Sequence, residues 1–166
     1  MADARLLRRL AGYACCGAAL AYCSAAPSYT QLPPDAALVR LSMTIAGTRL
    51  QACRPLSAAE LERLPPNMRH AEQCPRERSP VRVRLLVDGA PLVDEVLYPR
   101  GLARDGAATI YRRIVVRAGR HRIQASVNED VRQDAFQHVA AVSAELAPGR
   151  VMTVDFDREA GGVLFR

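Results

Sequence analysis

Period-two alternation of apolar and polar residues, short segments punctuated by Gly and Pro turns, and no alternation of strands with long helices predict an all-β fold. The architecture expected is an antiparallel β-sandwich with one short inserted helix. Val39, Leu41, Met43 and Ile45 face one way while Arg40, Ser42 and Thr44 face the other, as in a half-buried strand. Val81, Val83, Leu85 and Val87 repeat the pattern. Asp88-Gly89 follows as a hairpin turn lengthened by Ala90-Pro91, and 92–98 returns as the partner strand. Ile110, Ile114 and Val116 mark another strand, Ala118-Gly119 a turn, and Ile123, Ala125 and Val127 the strand after it. The last segments run over 139–146 and 151–156 around Ala147-Pro148-Gly149, and 163–165 adds a short terminal strand. The units 114–127 and 142–156 look alike because both read as hairpins. Roughly seven or eight strands of this kind suit an immunoglobulin-like sandwich. The Trp and the widely spaced cysteines of a true immunoglobulin domain are absent.

The inserted helix is expected at about 57–64. Ser57 and Glu60 have capping-box spacing, Leu61 and Leu64 give an apolar edge, and Pro65-Pro66 stops the run. The segment 67–78 shows no period and reads as an irregular loop tied down at Cys74.

Ahead of the sandwich, Arg5, Arg8 and Arg9 precede an uncharged run from Leu10 to Ala26, the arrangement of an export signal or signal anchor at 1–26. The expected organisation is that segment, a linker at 27–37 and the sandwich at 38–166. A single-pass anchor through 6–26 places the sandwich on the periplasmic side of a bacterial inner membrane. Cleavage before Ala26 leaves it soluble in the periplasm. Cys15, Cys16 and Cys23 lie in the apolar run, whereas Cys53 and Cys74 lie in the exported part. An even pair in an oxidising compartment reads as a disulfide, and closing its loop of about 20 residues contributes on the order of 3 kcal/mol.

All basic residues among the 166 are arginine, and the net charge is +6. An exported domain of this charge meets no nucleic acid, so an acidic face of an envelope protein or anionic lipid headgroups are the expected partners. Arg82, Arg84, Arg113, Arg117, Arg120 and Arg122 fall on the polar sides of their strands. If those strands are neighbours in one sheet, the arginines form a stripe suited to carboxylates or phosphates.

Leu32-Pro33-Pro34, Cys53, the stretch Leu64-Pro65-Pro66-Asn67-Met68-Arg69, the stretch Cys74-Pro75-Arg76-Glu77-Arg78-Ser79-Pro80, Ile110-Tyr111-Arg112-Arg113 and the run from Asp155-Phe156 to Gly161-Gly162 carry a resemblance over nearly the whole chain. It resembles a family of small proteobacterial envelope proteins with no known activity. The resemblance implies an exported, anchored protein and transfers no catalytic residue.

Met68, His70, Cys53 and Cys74 make a soft ligand set for copper, which requires free thiols. His121 reads as a packing residue beside Ile123, and His138 has no acidic neighbour at a telling interval. Asp155, Asp157 and Glu159 read as turn and edge solvation. Neither Gly-x-Ser-x-Gly nor His-Glu-x-x-His occurs. The expected function is therefore non-enzymatic: an envelope-anchored binding or accessory protein with no catalytic residues and no cofactor. A periplasmic copper-handling protein is the alternative.

Overall fold

A computed structural model describes residues 2–26 and 32–166, which divide into two compact units, 1–33 and 34–166. In the first unit, α1 (Ala2–Ala25) begins ahead of Arg8 and Arg9. The uncharged part from Leu10 to Ala25 spans only about 24 Å at 1.5 Å per residue, short of a hydrocarbon core of about 30 Å. Many of its residues are Ala or Gly. No helix among the described residues is long and apolar enough to cross a membrane, so the anchor expected through 6–26 finds no support in α1. Residues 27–31 of the expected linker lie outside the described residues. Ala36 and Ala37 already belong to the first strand, so the sandwich begins before 38.

The second unit packs two four-stranded sheets face to face. One has the order β10-β9-β1-β6, from β1 (Ala36–Ile45), β6 (Ala108–Arg117), β9 (Val151–Asp157) and β10 (Gly162–Phe165). The other has the order β5-β4-β7-β8, from β4 (Val81–Val87), β5 (Ala90–Leu97), β7 (Gly119–Asn128) and β8 (His138–Leu146). The alternation read from the sequence sets the inner faces. Val39, Leu41, Met43 and Ile45 of β1 meet Val81, Val83, Leu85 and Val87 of β4, with Ile123, Ala125 and Val127 of β7 filling the same layer. Removing a Val or Leu side chain of this kind from water contributes about 1.5–3 kcal/mol.

Three expectations need correction. The sandwich is not wholly antiparallel, because β1 runs parallel to β9, with Leu38 beside Val151 and Leu41 beside Val154. The reason lies in the two turns that look like hairpins: β6 and β7 belong to different sheets, as do β8 and β9, so both connections cross the sandwich. Ala118 and Gly149 donate backbone hydrogen bonds to the carbonyls of Asp35 and Ala36, which ties both crossings to the start of β1. The third concerns Asp88-Gly89, a tight turn with positive φ at both residues that Ala90-Pro91 does not lengthen. The strand resumes at Ala90, and a register shift between Leu85 and Leu86 accommodates Pro91 on an edge strand.

Between β1 and β4 the chain leaves the sandwich as an arm, and no residue from Thr48 to Arg78 is buried. Its neck pairs Leu50 N–H with the Glu77 carbonyl and Ser79 N–H with the Thr48 carbonyl. Further out, β2 (Arg54–Pro55) pairs with β3 (Glu72–Gln73). The tip holds α2 (Ala58–Arg63), where the helix is expected, and a 3-10 turn at Pro66–Met68; that turn and β3 are two short regular elements in the segment 67–78 expected as irregular. Ser57 and Glu60 form the expected capping box, and the Ser57 backbone N–H holds the Glu60 carboxyl down to about 2.

Candidate functional site

The arm is rooted in a polar node at the end of β7. Gly47 and Ser79 are buried there, and a Cβ at Gly47 would collide with the Ser79 carbonyl oxygen. Arg132 makes a two-point contact with the buried Asp130 carboxylate and donates to the Leu50 carbonyl at 2.8 Å. The guanidinium holds the Asp130 carboxyl well below the usual carboxylate range. Thr48 N–H bonds to the Glu129 carbonyl, and Arg78 donates to the Gly47 carbonyl. These bonds fix where the arm leaves the sandwich. Sequence spacing could not have shown this, because the partners lie some 80 residues apart.

Cys53 and Cys74 form the expected disulfide across the base of the β2–β3 pair. Beyond it lies a cleft of about 460 Å³ whose walls include Leu56, Leu64, Met68, His70, Glu72 and Cys74. Met68 and His70 therefore do share a wall, as the copper reading requires. Oxidation has consumed the thiolate half of that ligand set, so the copper alternative fails for this state of the arm.

The six arginines expected as one stripe are divided. Arg82 and Arg84 on β4 and Arg120 and Arg122 on β7 belong to one sheet, whereas Arg113 and Arg117 on β6 belong to the other. Arg82 and Arg84 both bind Asp94 and stack over Phe136, with guanidinium carbons 5.7 and 4.9 Å from its ring centre. Much of their charge is thereby answered within the fold. The premise that the three strands are neighbours does not hold, because the turn at Ala118-Gly119 carries the chain across the sandwich.

The histidines depart from their sequence readings. His121 faces inward with Ile123 but is held by charge: Nδ1 lies 2.6 Å from Asp88 Oδ2, and Nε2 lies 2.8 Å from the Arg117 carbonyl. Two acceptors favour two N–H groups, so the imidazolium is stabilised and its pKa is raised, mainly by Asp88. His138 does have an acidic neighbour, Glu129 Oε1 at 3.7 Å, brought in from across a loop. Asp155 and Asp157 accept backbone N–H bonds from Phe156, Glu159 and Ala160, in keeping with the turn and edge role read for them.

Arg113 and Arg117 gain different companions on the outer face of the β10-β9-β1-β6 sheet. Arg113 stands directly across from Arg40 in the β1–β6 register. Next to them, Arg40, Ser42, Tyr111, Thr153, Asp155 and Arg166 line a cleft of about 380 Å³. Arg40 donates to the neutral Thr153 hydroxyl at 2.7 and 3.2 Å, and no carboxylate among the described residues forms an ion pair with it. Arg166 is 3.8 Å from Asp155. Tyr111 and Val115 are more than half exposed beside these charges. Sequence reading did not group Arg40 and Arg166 with Arg113. The polar-side parity of Arg40 was visible, but its neighbours on β6 and β9 were not.

The chain matches no known protein family, no curated protein and no solved structure.

Proposed function

We propose that this chain is a non-enzymatic binding or accessory protein of the bacterial envelope, an immunoglobulin-like sandwich that holds an acidic protein face against its β10-β9-β1-β6 sheet. The observation that carries the reading is the cleft in which Arg40 is answered by a hydroxyl and, among the described residues, by no carboxylate, next to Arg166 and Tyr111. Guanidinium groups match carboxylates two-point, and arginine beside exposed tyrosine is the composition of interface hot spots. The net charge of +6 favours capture of an acidic partner. Export is supported by the arginines ahead of the apolar run and by the Cys53–Cys74 disulfide, which suits an oxidising compartment. In this reading 1–26 serves as the export signal.

Calorimetric titration of the chain with a Glu/Asp-rich peptide tests the reading, with phosphatidylglycerol vesicles as the second probe. Arg40→Glu with Arg166→Glu should lower peptide affinity by about tenfold or more, the loss expected when charge-assisted contacts become repulsive. Arg120→Glu, on the other sheet, should leave it within about twofold. Equal loss from Arg120→Glu shows a non-specific field and sinks the proposal. Vesicle binding without peptide binding makes the partner a lipid surface instead.

A further inference from the structure

We infer that the arm is a redox-gated zinc site: when the Cys53–Cys74 disulfide is reduced, Cys53, Cys74, Glu72 and His70 hold one zinc ion. Cys53 Sγ, Cys74 Sγ and a Glu72 carboxylate oxygen already lie within 4.8 Å of one another. His70, Glu72 and Cys74 sit at alternate positions of one segment and line the same cleft, while Cys53 immediately precedes the opposing strand. Two sulfurs bound to one zinc stand about 3.8 Å apart, given Zn–S bonds of about 2.3 Å in a tetrahedron. Assembly needs a modest opening of the reduced pair and a turn of the His70 side chain toward it from the wall of the same cleft. Thiolates, an imidazole and a carboxylate make a mixed set that suits zinc better than monovalent copper, which prefers sulfur ligands.

The gate is chemically complete with a dithiol reductant. Its thiolate attacks Cys74 Sγ, the Cys53–Cys74 bond breaks, and Cys53 leaves as a thiolate. The second thiol then resolves the mixed disulfide, so two electrons pass to the protein and the reductant becomes a disulfide. Arg49 donates to Cys53 Sγ at 3.4 Å, placing a cation beside the sulfur that carries the leaving charge. Zinc binding releases whatever thiol protons remain.

Reduction need not scatter the ligands. The neck bonds at Leu50 and Ser79, the β2–β3 pair and the bond from Leu56 N–H to the Ala71 carbonyl do not involve the sulfurs. No buried residue of the arm has to move, because none exists between Thr48 and Arg78. A zinc ion then closes the same loop that the disulfide closed.

The test uses the full chain with Cys15→Ser, Cys16→Ser and Cys23→Ser, so that only the arm cysteines remain. Oxidised protein and protein reduced with a non-coordinating phosphine are each equilibrated with zinc, desalted and analysed for metal. The reduced form should carry one zinc per chain and the oxidised form essentially none, and zinc should restore the melting temperature lost on reduction. Glu72→Ala and His70→Ala should each weaken binding by about tenfold or more, since even outer partners of zinc ligands cost that much. Reduced protein with two alkylatable thiols and no zinc overturns the inference. Uptake that persists in Cys53→Ser with Cys74→Ser, or affinity unchanged in the Glu72 and His70 variants, also overturns it.

Discussion

Replacing both arm cysteines, Cys53→Ser with Cys74→Ser, should destabilise the whole sandwich although the arm buries nothing. The disulfide closes a loop with a sequence separation of 21. In the chain-entropy account, a loop of that size restricts the unfolded chain by about 3 kcal/mol. The folded state is restricted far less by the same bond. Leu50–Glu77 and Thr48–Ser79 already hold the ends of the loop together, and Arg132 pins the neck to Asp130. Nearly all of the 3 kcal/mol therefore acts on folding of the second unit. For a domain of about 130 residues, an unfolding entropy of about 2.1 cal/mol/K per residue converts this to a fall in Tm of about 10 °C. Differential scanning calorimetry with a chelator present, paired with urea unfolding, measures both quantities. A change below about 1 kcal/mol would refute the reasoning, because it would show that the neck opens independently of the sandwich and that arm and core are not one cooperative unit.

Two further outcomes follow from the core and the His121 pair. Leu85→Ala should cost about 2–5 kcal/mol because Leu85 is wholly buried, while Leu86→Ala on the opposite face of the same strand should cost much less; urea midpoints compare them. His121 has a raised pKa, mainly through Asp88, and Asp88 a lowered one, mainly through the Arg122 backbone N–H and then through His121. The His121 contribution is complete below the unfolded pKa of about 6.5 and is lost as pH rises through its higher folded value. The Asp88 contribution is present above the unfolded pKa of about 3.9 and is lost as pH falls through its lower folded value. The pair is therefore strongest between about pH 4 and 6.5. Urea unfolding at several pH values should show stability falling above that window, and Asp88→Asn should flatten the fall; an equal fall in Asp88→Asn would show that the pair is not its source.

Much of the site's legibility tracks sequence distance. Ser57 and Glu60 announce a helix start because their partners lie within one turn. The cysteine pair was readable because two exported cysteines leave little choice of partner. Arg82 and Arg84 read as members of an arginine stripe, without their partners, because Asp94 sits on the next strand and Phe136 on a distant loop. His138 looked isolated for the same reason. The Arg40 cleft is assembled from β1, β6 and β9 together with Arg166, and no local pattern brings those residues side by side.

Local sequence pattern is enough to give the class of fold, the side chains that face inward, the capped helix and the disulfide. All depend on periodicity, on neighbours within a turn or on a pairing with little alternative. The parallel β1–β9 pair, the division of the arginines between two sheets and the rooting of the arm on Asp130 and Glu129 emerge from long-range packing. Those features depend on whether a short turn closes a hairpin or carries the chain across the sandwich. That choice is made by packing of the two inner faces and by backbone bonds to Asp35 and Ala36, interactions between residues far apart in the chain.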